Sequence, residues 1–230
     1  MNIKSLPKKL TNLEKIIRSR ALLKKYVKEK IEFSKPILTI KDQPLFHAKN
    51  INVVQGKYGT HKSRFAEHIC STLLMQDNCN INLIGLELNT ESELMVCYVD
   101  TERNWSDQYS YSLQQIILNS GHKLKDEIKN FDFISLIEID RKERFDSLCQ
   151  YLEKLREDFK GHIIVILDVL TDLVENFNDP KQSLKLIDLL NTTINIYDTT
   201  FICLIHENPG DNFKARGHLV IYNCTTATPR

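Results

Sequence analysis

Short apolar runs alternate with amphipathic stretches along most of this chain. Ile51–Gln55, Leu94–Val99, Phe131–Ile137, Ile163–Leu167 and Thr200–Ile205 have the length and composition of strands. Ile163–Leu167 is uninterrupted, the pattern of a strand buried on both faces. Between these runs, apolar residues recur at helical spacing. Phe65, Ala66, Ile69 and Leu73 predict a helix over 62–75. Residues 105–119 predict another, closed by Ser120-Gly121, and 142–159 a third, charged one. Asp179-Pro180 opens a fourth that runs to about Tyr197. Two short extended pieces, 37–40 and 45–48, precede the first long strand. The polar, Asn-rich stretch 76–93, with Ile81-Asn82-Leu83-Ile84 inside it, reads as a loop or hairpin. The alternation predicts an α/β fold with a mainly parallel sheet covered by helices on both faces.

The first 35 residues depart from this pattern. Leu10, Leu13, Ile16, Ile17, Leu23 and Val27 recur with Lys and Arg between them, which predicts a helix over 9–33, and Ser34-Lys35-Pro36 breaks it. Residues 1–35 hold eleven Lys/Arg against three Glu, a net +8 in a chain of +1, so the remainder carries −7. The expected organisation is a basic helical extension (1–35) on a mildly acidic core (36–230). The extension could meet DNA phosphates, dock on a neighbouring subunit, or simply pack on its own core.

The chain has 230 residues and is 42% hydrophobic, enough for one well-cored α/β domain. Its six cysteines form no C-x-x-C pair, and Cys97 and Cys203 lie inside apolar runs. They read as reduced thiols, with a cytoplasmic location expected. No apolar run approaches the ~20 residues of a membrane span, so no membrane partner is expected.

Candidate chemistry begins at Val53-Val54-Gln55-Gly56-Lys57-Tyr58-Gly59-Thr60-His61-Lys62-Ser63. This is one residue from the phosphate-loop pattern G-x-x-x-x-G-K-[ST], with His61 where the second glycine belongs. Such a loop needs small residues that let backbone N–H groups approach phosphate, a lysine that reaches the β- and γ-phosphates, and a hydroxyl for Mg²⁺. It also needs a strand before it and a helix N-terminus after it, and both are predicted here. His61 retains its backbone N–H, and histidine is among the residues enriched at positive φ. The candidate contacts are Gly56, Lys57, Tyr58, Gly59, Thr60, His61, Lys62, Ser63 and Arg64. The competing reading is a surface strand–helix turn.

Three later strands end in polar residues. Tyr98-Val99-Asp100-Thr101-Glu102 carries carboxylates to the strand's C-terminal end, where ligands bind in parallel sheets. Glu102 could orient and deprotonate an attacking water; the competing reading for both Asp100 and Glu102 is a helix N-cap region ahead of Trp105, and Asp100 could be only that. Ile163-Ile164-Val165-Ile166-Leu167-Asp168 is a hydrophobic run ending in an acid of the kind that holds Mg²⁺. Phe201–Ile205 ends in His206, which could touch a γ-phosphate or be a satisfied strand-end histidine. Arg216, in Lys214-Ala215-Arg216-Gly217-His218, could act in trans as an arginine finger, contact DNA, or be simply solvated.

Taken together, GKYGTHKS (56–63), YVDTE (98–102), IIVILD (163–168) and IHENPGDNFKARGH (205–218) resemble the RecA-like P-loop ATPases, specifically the RepA-type hexameric helicase branch, and AAA-type ATPases of bacterial plasmids and mobile elements. The resemblance spans about 36–219. It implies a three-layer RecA-like fold, ATP and Mg²⁺ at the C-terminal edge of the sheet, and a homo-oligomeric ring acting on DNA, single-stranded by expectation. It implies Lys62 as the loop lysine, Ser63 and Asp168 on the metal, Glu102 as catalytic base, His206 as sensor and Arg216 as finger. Two departures stand out: His61 in the loop, and a Thr-rich tail (220–230) where the family continues with further strands. The tail reads as a shortened core, which puts ring assembly and translocation in question before ATP binding. The leading expectation is an ATPase coupled to DNA in helicase-like or mobile-element work. The alternative is a nucleotide-gated binding module that hydrolyses little, and a small-molecule kinase is the third reading.

Overall fold

The computed structural model describes residues 11–30, 35–77, 79, 81–90 and 92–207. The chain divides into two compact units, 1–34 and 35–230. In the first, the described structure is one helix, α1 (Asn12–Tyr26). Thr11 caps it: its hydroxyl accepts from the Glu14 N–H at 3.2 Å, and the Glu14 carboxylate accepts from the Thr11 N–H at 2.6 Å. This reciprocal box satisfies two of the N–H groups a helix start leaves unpaired. The box lies wholly within the helix's own first turn, so this end is held by local bonds.

The second unit contains β1 (Pro36–Ile40), β2 (Gln43–His47), β3 (Ile51–Gly56), α2 (Lys62–Leu73), β4 (Leu86–Leu88), β5 (Leu94–Asp100), α3 (Ser110–Asn119), β6 (Phe131–Ser135), α4 (Arg141–Asp158), β7 (His162–Asp168), α5 (Pro180–Tyr197) and β8 (Thr199–His206). Five strands form an all-parallel sheet in the order β3-β8-β7-β5-β6. Side chains alternate between its two faces. Val96, Tyr98, Ile164, Ile166, Ile202 and Leu204 pack with Ala66, Ile69 and Leu73 of α2 and Ile116 of α3. Cys97, Val99, Ile163, Val165, Leu167, Phe201 and Cys203 pack with Phe145, Leu148 and Leu152 of α4 and Leu186, Leu190 and Ile194 of α5. The period of two and the helical period meet in two layers of core, giving an α/β fold with helices flanking the sheet. Ile166 is fully buried, and truncation to Ala would cost about 2–5 kcal/mol.

The extended pieces near residue 40 pair as an antiparallel hairpin, β1–β2. The Asn-rich stretch differs from expectation by supplying β4, which pairs antiparallel with β1. At three residues β4 is too short to show a period. A π-helical turn, Trp105–Tyr109, precedes α3, and a 3₁₀ turn, Leu170–Leu173, follows β7. Neither has a sequence signature.

The register decides what meets at the C-terminal edge of the sheet. Gly56 lies beside His206, and Asp100 beside Asp168. β8 lies between β3 and β7, so the end of β8 stands between the loop strand and the Asp168 strand.

Candidate functional site

The loop after β3 turns into α2 through two residues at positive φ, Gly59 (76°) and His61 (59°). His61 is the N-cap of α2 in the left-handed region, with no side-chain capping bond. The position next to the lysine therefore does take the conformation for which glycine is the usual residue, and histidine holds it. Gly56 is constrained differently: a Cβ there would stand 2.8 Å from Thr60 Oγ1, so a side chain would push into the loop.

Lys62 opens α2 with its side chain folded back over the loop. Its Nζ donates to the carbonyl oxygens of Gly56 at 3.0 Å and Lys57 at 2.8 Å. Thr60 Oγ1 donates to the Lys57 carbonyl at 2.7 Å, closing the turn. Burial pulls the Lys62 pKa down, and the charges of Asp168, Glu102 and Glu207 oppose that shift. Ser63 Oγ donates to Asp168 Oδ1 at 3.1 Å. The loop helix and the tip of β7 are thereby joined directly.

Asp168 is buried, and its other oxygen is also occupied. Tyr98 OH donates to Oδ2 at 3.1 Å, and an Arg103 nitrogen lies 3.1 Å from the same atom. Burial raises the Asp168 pKa; Arg103 acts against the rise, as do the Ser63 and Tyr98 hydrogen bonds. Thr101 ties the two strand tips together: its N–H donates to the Asp168 carbonyl at 2.9 Å, and its hydroxyl accepts from the Val169 N–H at 2.9 Å. The Asp168–Val169 peptide is cis.

Asp100 is fully buried and bonds inward. Its Oδ1 accepts from the N–H groups of Glu102 at 3.1 Å and Arg103 at 2.7 Å, and its Oδ2 from Arg103 Nε. It shapes the turn that carries Glu102 outward. Glu102 is exposed at the sheet edge, yet desolvation by the protein around its carboxylate raises its pKa. Asp172, Asp168 and Asp100 add to the rise, and Arg141 opposes it. A carboxylate in such surroundings suits proton abstraction from water.

These groups surround one cleft of about 390 Å³. Tyr58, Gly59, Thr60, His61, Lys62, Ser63, Arg64, Glu102, Asp168 and His206 all line it. Gly56 and Lys57 line a second cleft of about 450 Å³ on the other flank of the loop, with Val54, Gln55, Phe65 and Glu207. The Tyr58 ring lies 5.7 Å from the His206 ring, so the loop tip meets the end of β8. Arg64 pairs with Glu67 at 2.9 Å. Arg216 lies outside the described residues.

No family model matches the chain, and no curated protein matches it. The site therefore rests on its own geometry. Among the described residues no group of three or more His, Cys, Asp and Glu side chains could hold a metal ion. The donors that fit Mg²⁺ are the Ser63 hydroxyl and the Asp168 carboxylate, hard oxygens 3.1 Å apart. Mg²⁺ is ordinarily held by one or two such groups with substrate phosphates and water completing its shell, so this pair suits it. Among the described residues no helix is long and apolar enough to cross a membrane.

Sequence reasoning missed Arg103. Its guanidinium contacts Asp100, Asp168 and Glu67, donates to Ser112 Oγ at 2.7 Å, and lies 5.7 and 5.3 Å from the Tyr98 and Tyr109 ring centres. Desolvation works against the cation, but Tyr98, Asp168 and Asp100 hold its pKa above the usual arginine value. The available signal was the Asp-x-x-Arg spacing, Asp100 to Arg103, immediately after a buried strand.

Proposed function

We propose that the protein binds a nucleoside triphosphate, with ATP as the expected ligand, at the Gly56–Ser63 loop and hydrolyses it with Mg²⁺. The observation that carries this reading is the convergence of Lys62, Ser63, Glu102, Asp168 and His206 on one cleft at the C-terminal edge of a parallel sheet. Lys62 neutralises β- and γ-phosphate oxygens after leaving the Gly56 and Lys57 carbonyls. Ser63 and Asp168 hold Mg²⁺, which supplies charge neutralisation at the phosphates. Glu102 orients water and takes its proton. His206, on the strand between β3 and β7, answers to the terminal phosphate, and its contact with Tyr58 relates that response to the loop.

The strand arrangement, the carboxylate at the end of β5 and the acid at the end of β7 support the RecA-like reading. A homo-oligomer working on DNA follows from that reading. The basic extension supports a DNA partner by its charge. In such an assembly Arg216 would complete a neighbour's site.

The test is isothermal titration with ATP and Mg²⁺, followed by phosphate release with and without single-stranded DNA. Micromolar binding, turnover and stimulation by DNA are expected, and absence of ATP binding would overturn the reading. Lys62 seated on the Gly56 and Lys57 carbonyls favours a second reading, a nucleotide-gated module in which binding reshapes the loop and turnover is slight. Tight binding with no phosphate release, unchanged by DNA, would select it.

A further inference from the structure

Arg103 lies among buried carboxylates next to the proposed catalytic groups. It is about one-sixth exposed (17%), while the carboxylates it touches, Asp100, Asp168 and Glu67, are 1%, 3% and 5% exposed. Its three nitrogens serve different elements. Nε takes Asp100 at the end of β5. One terminal nitrogen takes Asp168 at 3.1 Å, with the Tyr98 hydroxyl at 3.4 Å. The other takes Glu67 of α2 at 3.3 Å and Ser112 of α3 at 2.7 Å. Ser112 also donates to Glu67, so the far end of the guanidinium is itself anchored.

A planar guanidinium can hold several acceptors in fixed directions at once, whereas an ammonium is a single point charge. The buried carboxylates Asp100 and Asp168 sit side by side in register, and a buried carboxylate without a countercharge is costly. Asp168 Oδ2 is pinned by Arg103 and Tyr98, which leaves Oδ1 for Ser63.

We propose that Arg103 is the positioning residue of the metal site: anchored on Glu67 and Ser112, it holds Asp168 with one oxygen turned to Ser63 and so sets the affinity for Mg²⁺. This rests on the nucleotide reading above. Arg103 is not among the residues that line the nucleotide cleft, whereas two carboxylates it holds, Glu67 and Asp168, are; Asp168 is the one bonded to Ser63, so the metal site feels Arg103 through Asp168. Groups that orient a metal's ligands typically change its affinity by about 10–100-fold when removed. A lysine cannot span the same acceptors, so charge without geometry is a partial substitute.

The test separates nucleotide binding from metal dependence. ADP binding is measured by calorimetry on full-length protein, first with EDTA and then across a Mg²⁺ series, for wild type, Arg103→Lys and Arg103→Met. The expected result is metal-free ADP affinity within about threefold of wild type, with the half-saturating Mg²⁺ concentration raised about 10-fold in Arg103→Lys and up to 100-fold in Arg103→Met. An unchanged Mg²⁺ midpoint in folded Arg103→Lys overturns the proposal, as does an equal loss of metal-free and metal-assisted binding. If Arg103→Met fails to fold, Arg103→Lys in an Asp168→Asn background decides: the lysine change should add nothing there, and an additive shift of the Mg²⁺ midpoint overturns the proposal. Wild-type protein that binds ADP under neither condition overturns the nucleotide reading itself, a different result from a variant that matches a binding-competent wild type.

Discussion

Ser63 Oγ donates to Asp168 Oδ1 at 3.1 Å, joining residues 105 positions apart. One lies in the first turn of the helix after the loop, and the other ends a buried strand that is not even the loop strand's neighbour. The contact requires that α2 start beside β3 and that β7 lie two strands away. In the parallel register Gly56 aligns with His206 and Leu167 with Cys203, so β3 runs two residues beyond β7 before the loop and α2 bring Ser63 to Asp168. A hydroxyl and a carboxylate held this way form a site for a hard cation only when something else supplies further oxygens, which is the role a triphosphate fills.

Lys62 is the most direct test of that role. Its ammonium bonds two loop carbonyls that water could satisfy equally well, so Lys62→Ala should leave the fold intact. The loss of a charge-assisted bond to phosphate should weaken ATP binding by about 10- to 100-fold. Calorimetry with ATP and Mg²⁺ measures it, beside circular dichroism as a check on folding. Wild-type affinity in the variant would remove the loop from the phosphate role.

Glu102 carries a sign that can be checked against pH. As a base it works ionised, and its pKa is raised, so turnover should climb with pH through a midpoint above the ordinary glutamate value of about 4.3. Glu102→Gln should keep nucleotide binding, lose about 10²- to 10⁴-fold in turnover, and lose that limb of the profile. The same shift acts on stability. A carboxyl whose folded pKa is raised contributes stability below its unfolded pKa and loses it as pH rises through the folded value. Relative to wild type, Glu102→Gln should therefore gain melting temperature as pH rises from about 4 toward neutrality. A difference that stays flat across that range would contradict the assigned environment.

His61 and Gly59 make a contrasting pair. Both have positive φ, but only His61 has a Cβ to strain there. His61→Gly removes a left-handed cost of about 1–2 kcal/mol and returns part of it through the freer unfolded chain, leaving a net gain of about 0.5–1 kcal/mol in urea unfolding. Gly59→Ala should lose about 1 kcal/mol for backbone reasons alone, because nothing lies within 4 Å of the added Cβ. ATP affinity should stay within about threefold in His61→Gly, since the bonding group is the backbone N–H. A tenfold loss would show that the imidazole itself meets the ligand.

The legible parts of this site were those written in short range. The five long strands announce themselves as apolar runs, and Asp168 and His206 follow from where two of them stop. Lys62 and Ser63 follow from the loop spacing. Arg103 was not legible because an arginine after Asp-Thr-Glu reads as a solvated loop residue, and only the assembled β5, β7, α2 and α3 bury it among three acids. The π-helical turn at Trp105 was hidden for a related reason, since its fifth-neighbour spacing leaves no pattern in five residues. Asp100 accepts from the N–H groups two and three residues on, those of Glu102 and Arg103, while Asn104 is the residue that caps the helical turn at Trp105.

The basic extension makes the DNA part of the proposal measurable. Arg18, Arg20, Lys24 and Lys25 all lie exposed on α1. Replacing all four with alanine in the full-length protein should leave core stability unchanged and weaken binding to a single-stranded oligonucleotide. If each contacts a phosphate, the slope of log affinity against log salt should become shallower by about 3, because a single strand releases ~0.7 counterion per contact. Fluorescence anisotropy between about 50 and 200 mM salt measures both quantities. Arginine at all four sites should restore both, since either cation releases the same counterions. An unchanged slope in the alanine variant would move the DNA contact off this helix, and its exposed Leu13, Ile16, Ile17 and Leu23 would then point to a protein surface as its partner.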